Sequence, residues 1–325
     1  MQLHGVSFLV TFRCPSKCEH CAYNAGPDEV GQIDLYDAKR WLSELVDTQE
    51  FEWLTLHGGE PFLYLDEIKA ILRMAKEFEI EKRGAITNGY WARTPLIASR
   101  ILKELIGAGL NRITFSVDGF HQQYIDIGVV KVGIEAAASL GIDRIWVDSY
   151  YIESLNAENI YDQLTKESLR ELQGIEGIEY SLNQVDFEGR GANSLIDYAD
   201  MTPGLPNGKC VLPHWLGGDL QSPEGVEIDF EGNVTLCPGI CIGNAKVDNL
   251  SEILDNYTCN NHPIIRVLVK EGPKGLYRLA KQHSLIPISK FANECHLCFE
   301  MRRSLHELYP NHLAPNRCYQ QGRKL

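Results

Sequence analysis

Cys14-Pro-Ser-Lys-Cys18-Glu-His-Cys21 places three thiols within eight residues, directly after the apolar run Val6-Ser-Phe-Leu-Val-Thr11. This order predicts a loop leaving the C-terminal end of a first β-strand. Soft thiolates bind zinc or iron–sulfur clusters, and three of them spaced C-x3-C-x2-C can hold three irons of a [4Fe–4S] cube. The fourth iron then has no protein ligand, as a catalytic cluster requires, whereas a structural metal site normally closes with a fourth side chain. The competing reading is a zinc loop completed by His20 or by a distant cysteine.

Downstream of the thiols the sequence alternates between helical and strand periodicity. Leu35, Ala38, Trp41, Leu42 and Leu45 recur at helical intervals, and residues 65–78, 94–108, 129–140 and 164–172 read as further helices. Residues 51–56, 84–89, 111–118, 142–148 and 179–187 read as strands. The alternation predicts an α/β fold, a parallel sheet with right-handed crossovers. Six strand–helix units over residues 1–200 fall short of a closed eight-fold barrel and read as a partial (β/α)6 TIM-like barrel, with an open sheet as the alternative that periodicity leaves. Ligands in such folds sit at the carboxyl ends of the strands. Polar punctuation falls at those ends: the cysteine loop, His57-Gly58-Gly59-Glu60-Pro61, Thr87-Asn88-Gly89 and Ser116-Val-Asp118-Gly119.

These motifs together resemble the radical SAM family, whose three-cysteine loop holds a [4Fe–4S] cluster that binds S-adenosylmethionine. The family usually has an aromatic residue before the last cysteine, where this chain has His20. The resemblance implies that Gly58 and Gly59 let the backbone approach the methionyl ammonium, with Glu60 and Pro61 ordering that turn or Glu60 meeting the charge. It implies that Ser116 and Asp118 orient the adenosyl ribose, and their spacing puts both on one face of a strand. Asn88, Asn183 and Arg190 are further cofactor- or substrate-contacting candidates, with loop caps and a surface ion pair as the plain alternatives. His121, in Asp118-Gly-Phe-His121, either caps the next helix or transfers a proton.

The 325 residues are 44% hydrophobic and carry a formal charge of -13, from 44 acidic against 31 basic residues. That length supports two unequal domains, and the dispersed acidity argues against a nucleic-acid partner. Neither a secretion signal nor an apolar run of membrane-spanning length is present, so a cytoplasmic protein without a membrane partner is expected. Ten cysteines in a reducing compartment point to metal ligation rather than to disulfides.

From about Met201 the strand–helix rhythm stops, and a small cysteine-rich domain is expected over residues 201–325. Val226–Phe230 and Val234–Leu236 read as a hairpin delivering Cys237, residues 242–254 as a turn into a short helix, and residues 291–309 as a helix following Cys295 and Cys298. The layout resembles the SPASM or reduced twitch extensions of radical SAM proteins. It implies one auxiliary [4Fe–4S] cluster on Cys210, Cys237, Cys295 and Cys298, with Cys241 and Cys318 as substitutes or as ligands of a second cluster. A zinc ribbon competes for Cys295-x2-Cys298, and Cys259 has no assigned role.

The chemistry implied by the resemblance is reductive cleavage of S-adenosylmethionine to a 5′-deoxyadenosyl radical, which abstracts a hydrogen atom from the substrate. An auxiliary cluster gives the substrate radical an electron exit. The leading expectation is oxidative modification of a ribosomally made peptide, with a flavodoxin- or ferredoxin-type electron donor. The alternatives are dehydrogenation of an aminocyclitol or sugar, peptide epimerisation with Cys259 or Cys318 as hydrogen donor, and a non-enzymatic iron–sulfur scaffold.

Overall fold

The computed structural model describes residues 1–47, 51–210, 216–285 and 290–320. Its first half alternates strand and helix in chain order: β1 (Gly5–Thr11), α1 (Leu35–Val46), β2 (Trp53–Gly58), α2 (Leu65–Glu77), β3 (Lys82–Thr87), α3 (Pro95–Ala108), β4 (Arg112–Ser116), α4 (Ile127–Ser139), β5 (Arg144–Tyr151), α5 (Ile160–Glu171) and β6 (Ile178–Gln184). Local chemistry sets the helix starts. Asp34 accepts hydrogen bonds from the Tyr36 and Asp37 N–H groups before α1, Thr94 caps α3 ahead of Pro95, and Asn159 caps α5. The periodic residues Ala38, Trp41, Leu42 and Leu45 are the ones α1 buries.

Strands β1 to β6 are parallel neighbours in that order, so the loops leaving their C-terminal ends gather on one rim. Every residue of β1 is buried, and Phe8 meets Trp41 edge-on at 5.8 Å between ring centroids. This is the partial TIM-like barrel expected from the alternation.

The C-terminal region contains α6 (Gly191–Ser194), β7 (Thr202–Pro203), β8 (Gly225–Asp229), β9 (Asn233–Cys237), β10 (Ile240–Asn244), α7 (Leu250–Asp255), α8 (Ile265–Glu271), α9 (Pro273–Gln282), β11 (Lys290–Phe291) and α10 (Glu294–Leu305). The expected hairpin is β8–β9, but it continues the main sheet. Strand β8 pairs in parallel with β1, and β9 and β10 follow antiparallel, giving the order β10-β9-β8-β1-β2-β3-β4-β5-β6. The segment read as one helix over 291–309 divides instead. Phe291 pairs with Thr202 in the β11–β7 ribbon, and Asn293 caps α10, which ends at Leu305. Among the described residues no helix is long and apolar enough to cross a membrane.

Candidate cofactor and catalytic site

The rim opens onto a cavity of about 200 Å³. Cys14, Cys18 and Cys21 line it, with Gly58, Gly59, Ser116 and His121 from the loops and strands expected to meet there. Residues that the sequence reading passed over complete the wall: Tyr23 and His57 near the cysteine loop, Asp148 and Tyr150 on β5, and Asp186, Phe187 and Glu188 after β6.

The glycine pair is dictated by backbone proximity. A Cβ on Gly58 would lie 2.3 Å from the Thr11 carbonyl oxygen, and one on Gly59 would lie 2.2 Å from that of Arg13. Gly58 also has φ 140°, a conformation that side chains disfavour. The close approach lets the Gly59 and Glu60 N–H groups donate to the Thr11 and Arg13 carbonyls at 2.7 and 2.8 Å, stitching this turn to the cysteine loop.

Glu60, Pro61, Asn88, Asp118, Asn183 and Arg190 stand behind the cavity wall rather than on it. Glu60 is fully buried and accepts from Phe62 N–H at 3.0 Å, the Thr87 hydroxyl at 2.8 Å and Asn88 N–H at 2.8 Å. Burial pushes its carboxyl up to about 7 against the pull of these donors. Glu60 therefore orders the turn, one of its two expected roles, while Pro61 opens the short 3-10 turn Pro61–Tyr64. Asp118 Oδ1 accepts from the N–H groups of Phe120 and His121 and meets His121 Nδ1 at 2.8 Å. Asn183 donates to Asp148 Oδ1 at 2.9 Å and thus holds a wall residue. Arg190 makes no surface ion pair; its guanidinium donates to the Cys18 and Ala25 carbonyls at 2.6 and 2.7 Å, fastening the cysteine loop from below.

Two observations test whether this wall suits a cluster with a polar cofactor. Zinc–thiolate bonds of about 2.3 Å put the sulfurs of one tetrahedral ion about 3.8 Å apart. Among the described residues, the one group of three or more His, Cys, Asp or Glu ligand atoms within 4.8 Å of one another is His20, Asp118 and His121, with no cysteine in it. Cys14 still feels the charge of Cys18 and Cys21, so the trio converges with a wider spread than a single ion needs. Second, the Ser16 hydroxyl and His20 Nδ1 are buried in this wall without a protein hydrogen-bond partner, as is Asp118 Oδ2 behind it. The residues fit a cluster plus a polar ligand.

Burial, with Glu60 adding to it, raises the Cys14 thiol above its ordinary range, so binding metal must displace a proton there. Burial lowers His20 to about 4, leaving a neutral imidazole tilted over Phe120 at 4.5 Å.

A second set of thiols lies beyond the β6 loop. Burial raises the Cys210, Cys237 and Cys295 thiols, with the nearby Cys298 adding to all three and Cys210 adding to Cys237 and Cys295. Arg302 of α10, 1% exposed, hydrogen-bonds Cys298, donates to Pro238 O at 2.6 Å and pairs with Glu188 at 3.1 Å. Cys318 is buried near Arg302 and Glu188, beside Tyr319. Cys241 is turned away and donates to Gly243 O at 3.1 Å. Cys259 is placed with Tyr257, outside the cavity wall.

The Radical SAM superfamily model matches residues 8–162. The fold is similar to that of tagged anSMEcpe with bound AdoMet, at TM-score 0.55 and 14% identity, covering 96% of this chain and 98% of that one. It is also similar to BtrN in complex with AdoMet and 2-DOIA, at TM-score 0.50 and 15% identity, over 84% of this chain and 90% of that one. Among curated proteins, YydG of Bacillus subtilis (strain 168), provisionally named for peptide biosynthesis, is 18% identical over 170 residues, 50% of this chain and 53% of YydG. The GTP 3',8-cyclase of Syntrophomonas wolfei is 26% identical over 162 residues, 47% of this chain and 48% of that protein. The chain thus spans about half the length of these curated relatives. It carries a radical SAM domain over residues 8–162, followed by a cysteine-rich C-terminal region.

Proposed function

We propose that this chain is a radical SAM oxidoreductase or maturase that modifies its substrate oxidatively, a ribosomally made peptide being the leading class. Cys14, Cys18 and Cys21 would hold a [4Fe–4S] cluster, and Cys210, Cys237, Cys295 and Cys298 one auxiliary [4Fe–4S] cluster. Together with S-adenosylmethionine, the site cluster supplies one-electron cleavage of the sulfonium and a radical able to take an unactivated hydrogen atom.

The observation that carries this reading is a path of contacts from the cavity wall to the second set of thiols. The trio forms one wall; on another, Glu188 faces the cavity and grips Arg302, which touches Cys298. An oxidised substrate needs an outlet for an electron and a proton, and this wall offers both. Burial holds the Glu188 carboxyl above its usual range despite Arg302, which suits it to accept a proton near neutrality. Gly58 and Gly59 let the backbone close on the methionyl end of the cofactor, while Ser116, Asp148 and His121 provide polar partners. Val185 and Phe187 exclude water beside them.

The peptide class is supported by the name of YydG and by anSMEcpe, whose fold is similar and which is also known with a bound Cp18Cys peptide. An aminocyclitol- or sugar-like substrate is the second reading, supported by the 2-DOIA ligand of BtrN. Epimerisation is less favoured, because neither Cys259 nor Cys318 lines the cavity. A low-potential flavodoxin- or ferredoxin-type protein is the proposed donor, and the reducing interior of the cell the proposed setting.

The test is an anaerobic assay of reconstituted protein with dithionite and S-adenosylmethionine. It should form 5′-deoxyadenosine, and with its substrate a product lighter by about two hydrogens. Absence of 5′-deoxyadenosine from fully loaded protein would leave only an iron–sulfur scaffold.

A further inference from the structure

Asn88 reads in the sequence as a contact for cofactor or substrate, yet its side chain points elsewhere. Its Nδ2 lies 3.6 Å from Cys14 Sγ, and its Oδ1 accepts the Tyr90 N–H at 3.1 Å. That second bond fixes the amide orientation: an N–H donor requires the oxygen, so the NH2 end faces the sulfur. The Ser16 N–H also points at Cys14 Sγ, at 3.4 Å. Asn88 is 4% exposed and Cys14 8%, so both bonds lie where water does not compete.

The asparagine is itself held in place. Its own N–H donates to Glu60 Oε2, while Glu60 Oε1 receives the Phe62 N–H and the hydroxyl of Thr87, which also accepts the Trp91 indole N–H at 2.9 Å. One buried carboxylate thereby locks the turn after β2 to the turn after β3, and the second turn delivers an amide to a cluster-binding sulfur. A carboxylate burdened by such desolvation is an expensive clasp unless the position it fixes matters.

We propose that Asn88 tunes the site cluster through an N–H···S bond to Cys14 and that Glu60 is the positioning residue that aims it. This inference rests on the reading that Cys14, Cys18 and Cys21 hold a [4Fe–4S] cluster. An N–H donor withdraws charge from a thiolate and favours the reduced, more negative cluster, so the bond raises the reduction potential. Asn88 is therefore a determinant of how readily the site accepts its electron, and makes no contact that S-adenosylmethionine binding depends on.

The test is an anaerobic redox titration of the reconstituted holoenzyme, following the electron paramagnetic resonance signal that changes when S-adenosylmethionine is added. Wild type is compared with Asn88→Ala and Asn88→Asp; the latter is isosteric and keeps an oxygen for Tyr90. Losing one hydrogen bond should lower the reduced-to-oxidised ratio at fixed potential by roughly tenfold, about 59 mV for one electron. Glu60→Gln also removes a negative charge near Cys14, so its positioning role is read as a difference: its shift in potential should be more negative in the wild-type background than in the Asn88→Ala background. S-adenosylmethionine affinity, measured by equilibrium dialysis, should stay within about twofold of wild type, a shift worth less than half of one hydrogen bond.

Unchanged potentials in both Asn88 variants at full iron content would overturn the proposal, as would weakened S-adenosylmethionine binding at unchanged potential. Loss of iron from Asn88→Ala, Asn88→Asp and Asn88→Ser alike would overturn it too, making the residue a structural prop. Failure of the wild type itself to assemble a four-iron cluster at the trio would refute the underlying cluster reading instead.

Discussion

At the scale of single residues, the site separates side chains that face the cavity from those that aim them. Each of Cys14→Ala, Cys18→Ala and Cys21→Ala should cost the protein roughly four irons. Cys259→Ala, a change outside the wall, should leave the iron count unchanged; chemical iron and sulfide analysis of anaerobic protein distinguishes the two. Buried carboxyls away from the wall report on stability. Asp229 is 3% exposed, and burial pushes its carboxyl up to about 6 although Asn233 and Glu231 donate to it. An unfolded aspartate titrates near about 3.9, so between about pH 4 and 6 the folded chain binds the extra proton. Its stabilising contribution is complete below about pH 4 and is lost as pH rises through about 6. Over that interval the metal-free protein should lose up to about 3 kcal/mol of urea-measured stability, and Asp229→Asn should flatten the slope.

The same scale shows what was legible in the chain. Cys14, Cys18, Cys21, Gly58 and Gly59 were readable because cluster chemistry and close backbone approach each demand particular residues at particular spacing. Glu60 and Asn88 sit at the expected strand ends, but Glu60 turns to the loop after β3 and Asn88 to Cys14, while Asp118 bonds within its own loop and Asn183 bonds Asp148; a sequence does not state which way a side chain points. Asp186 and Glu188 were passed over. Their one signal is the alternation of acids in Asp186-Phe-Glu188 immediately after a strand end, a pattern equally common on solvated surfaces.

At the scale of elements, the parallel order of β1 to β6 followed from alternating periodicities, because each crossover helix shows its own apolar stripe. The extents of α1 and α3 followed from helical periodicity. The attachment of β8 to β1 was not legible. Strand pairing across more than two hundred residues leaves no local mark, and Val226–Phe230 reads as a hairpin strand with either partner. The turn after β2 gives the sharpest element-level prediction. Gly59→Ala would drive a Cβ to 2.2 Å from the Arg13 carbonyl oxygen, against backbone that has no room to yield. It should destabilise the protein by about 3 kcal/mol in urea unfolding and loosen the cysteine loop. Thr94→Ala at the start of α3, outside the cavity wall, should cost only about 1 kcal/mol and leave iron binding intact.

At the scale of the whole molecule, the C-terminal region joins the barrel through its sheet and through the Glu188–Arg302 pair. Arg302 is buried among Glu188, Pro238, Tyr319 and the Cys237 and Cys298 thiols, so removing its charge leaves a buried carboxylate without its cation. Arg302→Met should destabilise the protein by about 3–5 kcal/mol, and the double variant with Glu188→Gln should recover part of that loss in thermal or urea unfolding. The presence of two thiol sets was legible from cysteine counting. The link from the cavity wall through Glu188 and Arg302 to Cys298 was not, because it depends on the fold bringing the β6 loop against α10.

The most direct measurement is iron and sulfide quantification on anaerobically reconstituted protein, paired with electron paramagnetic resonance of the reduced sample with and without S-adenosylmethionine. The expected result is roughly eight irons per chain, falling to about four when Cys14, Cys18 and Cys21 are replaced together, and a signal that S-adenosylmethionine perturbs in wild type only. One zinc ion at the trio, or a cluster there whose signal S-adenosylmethionine leaves untouched, would contradict it.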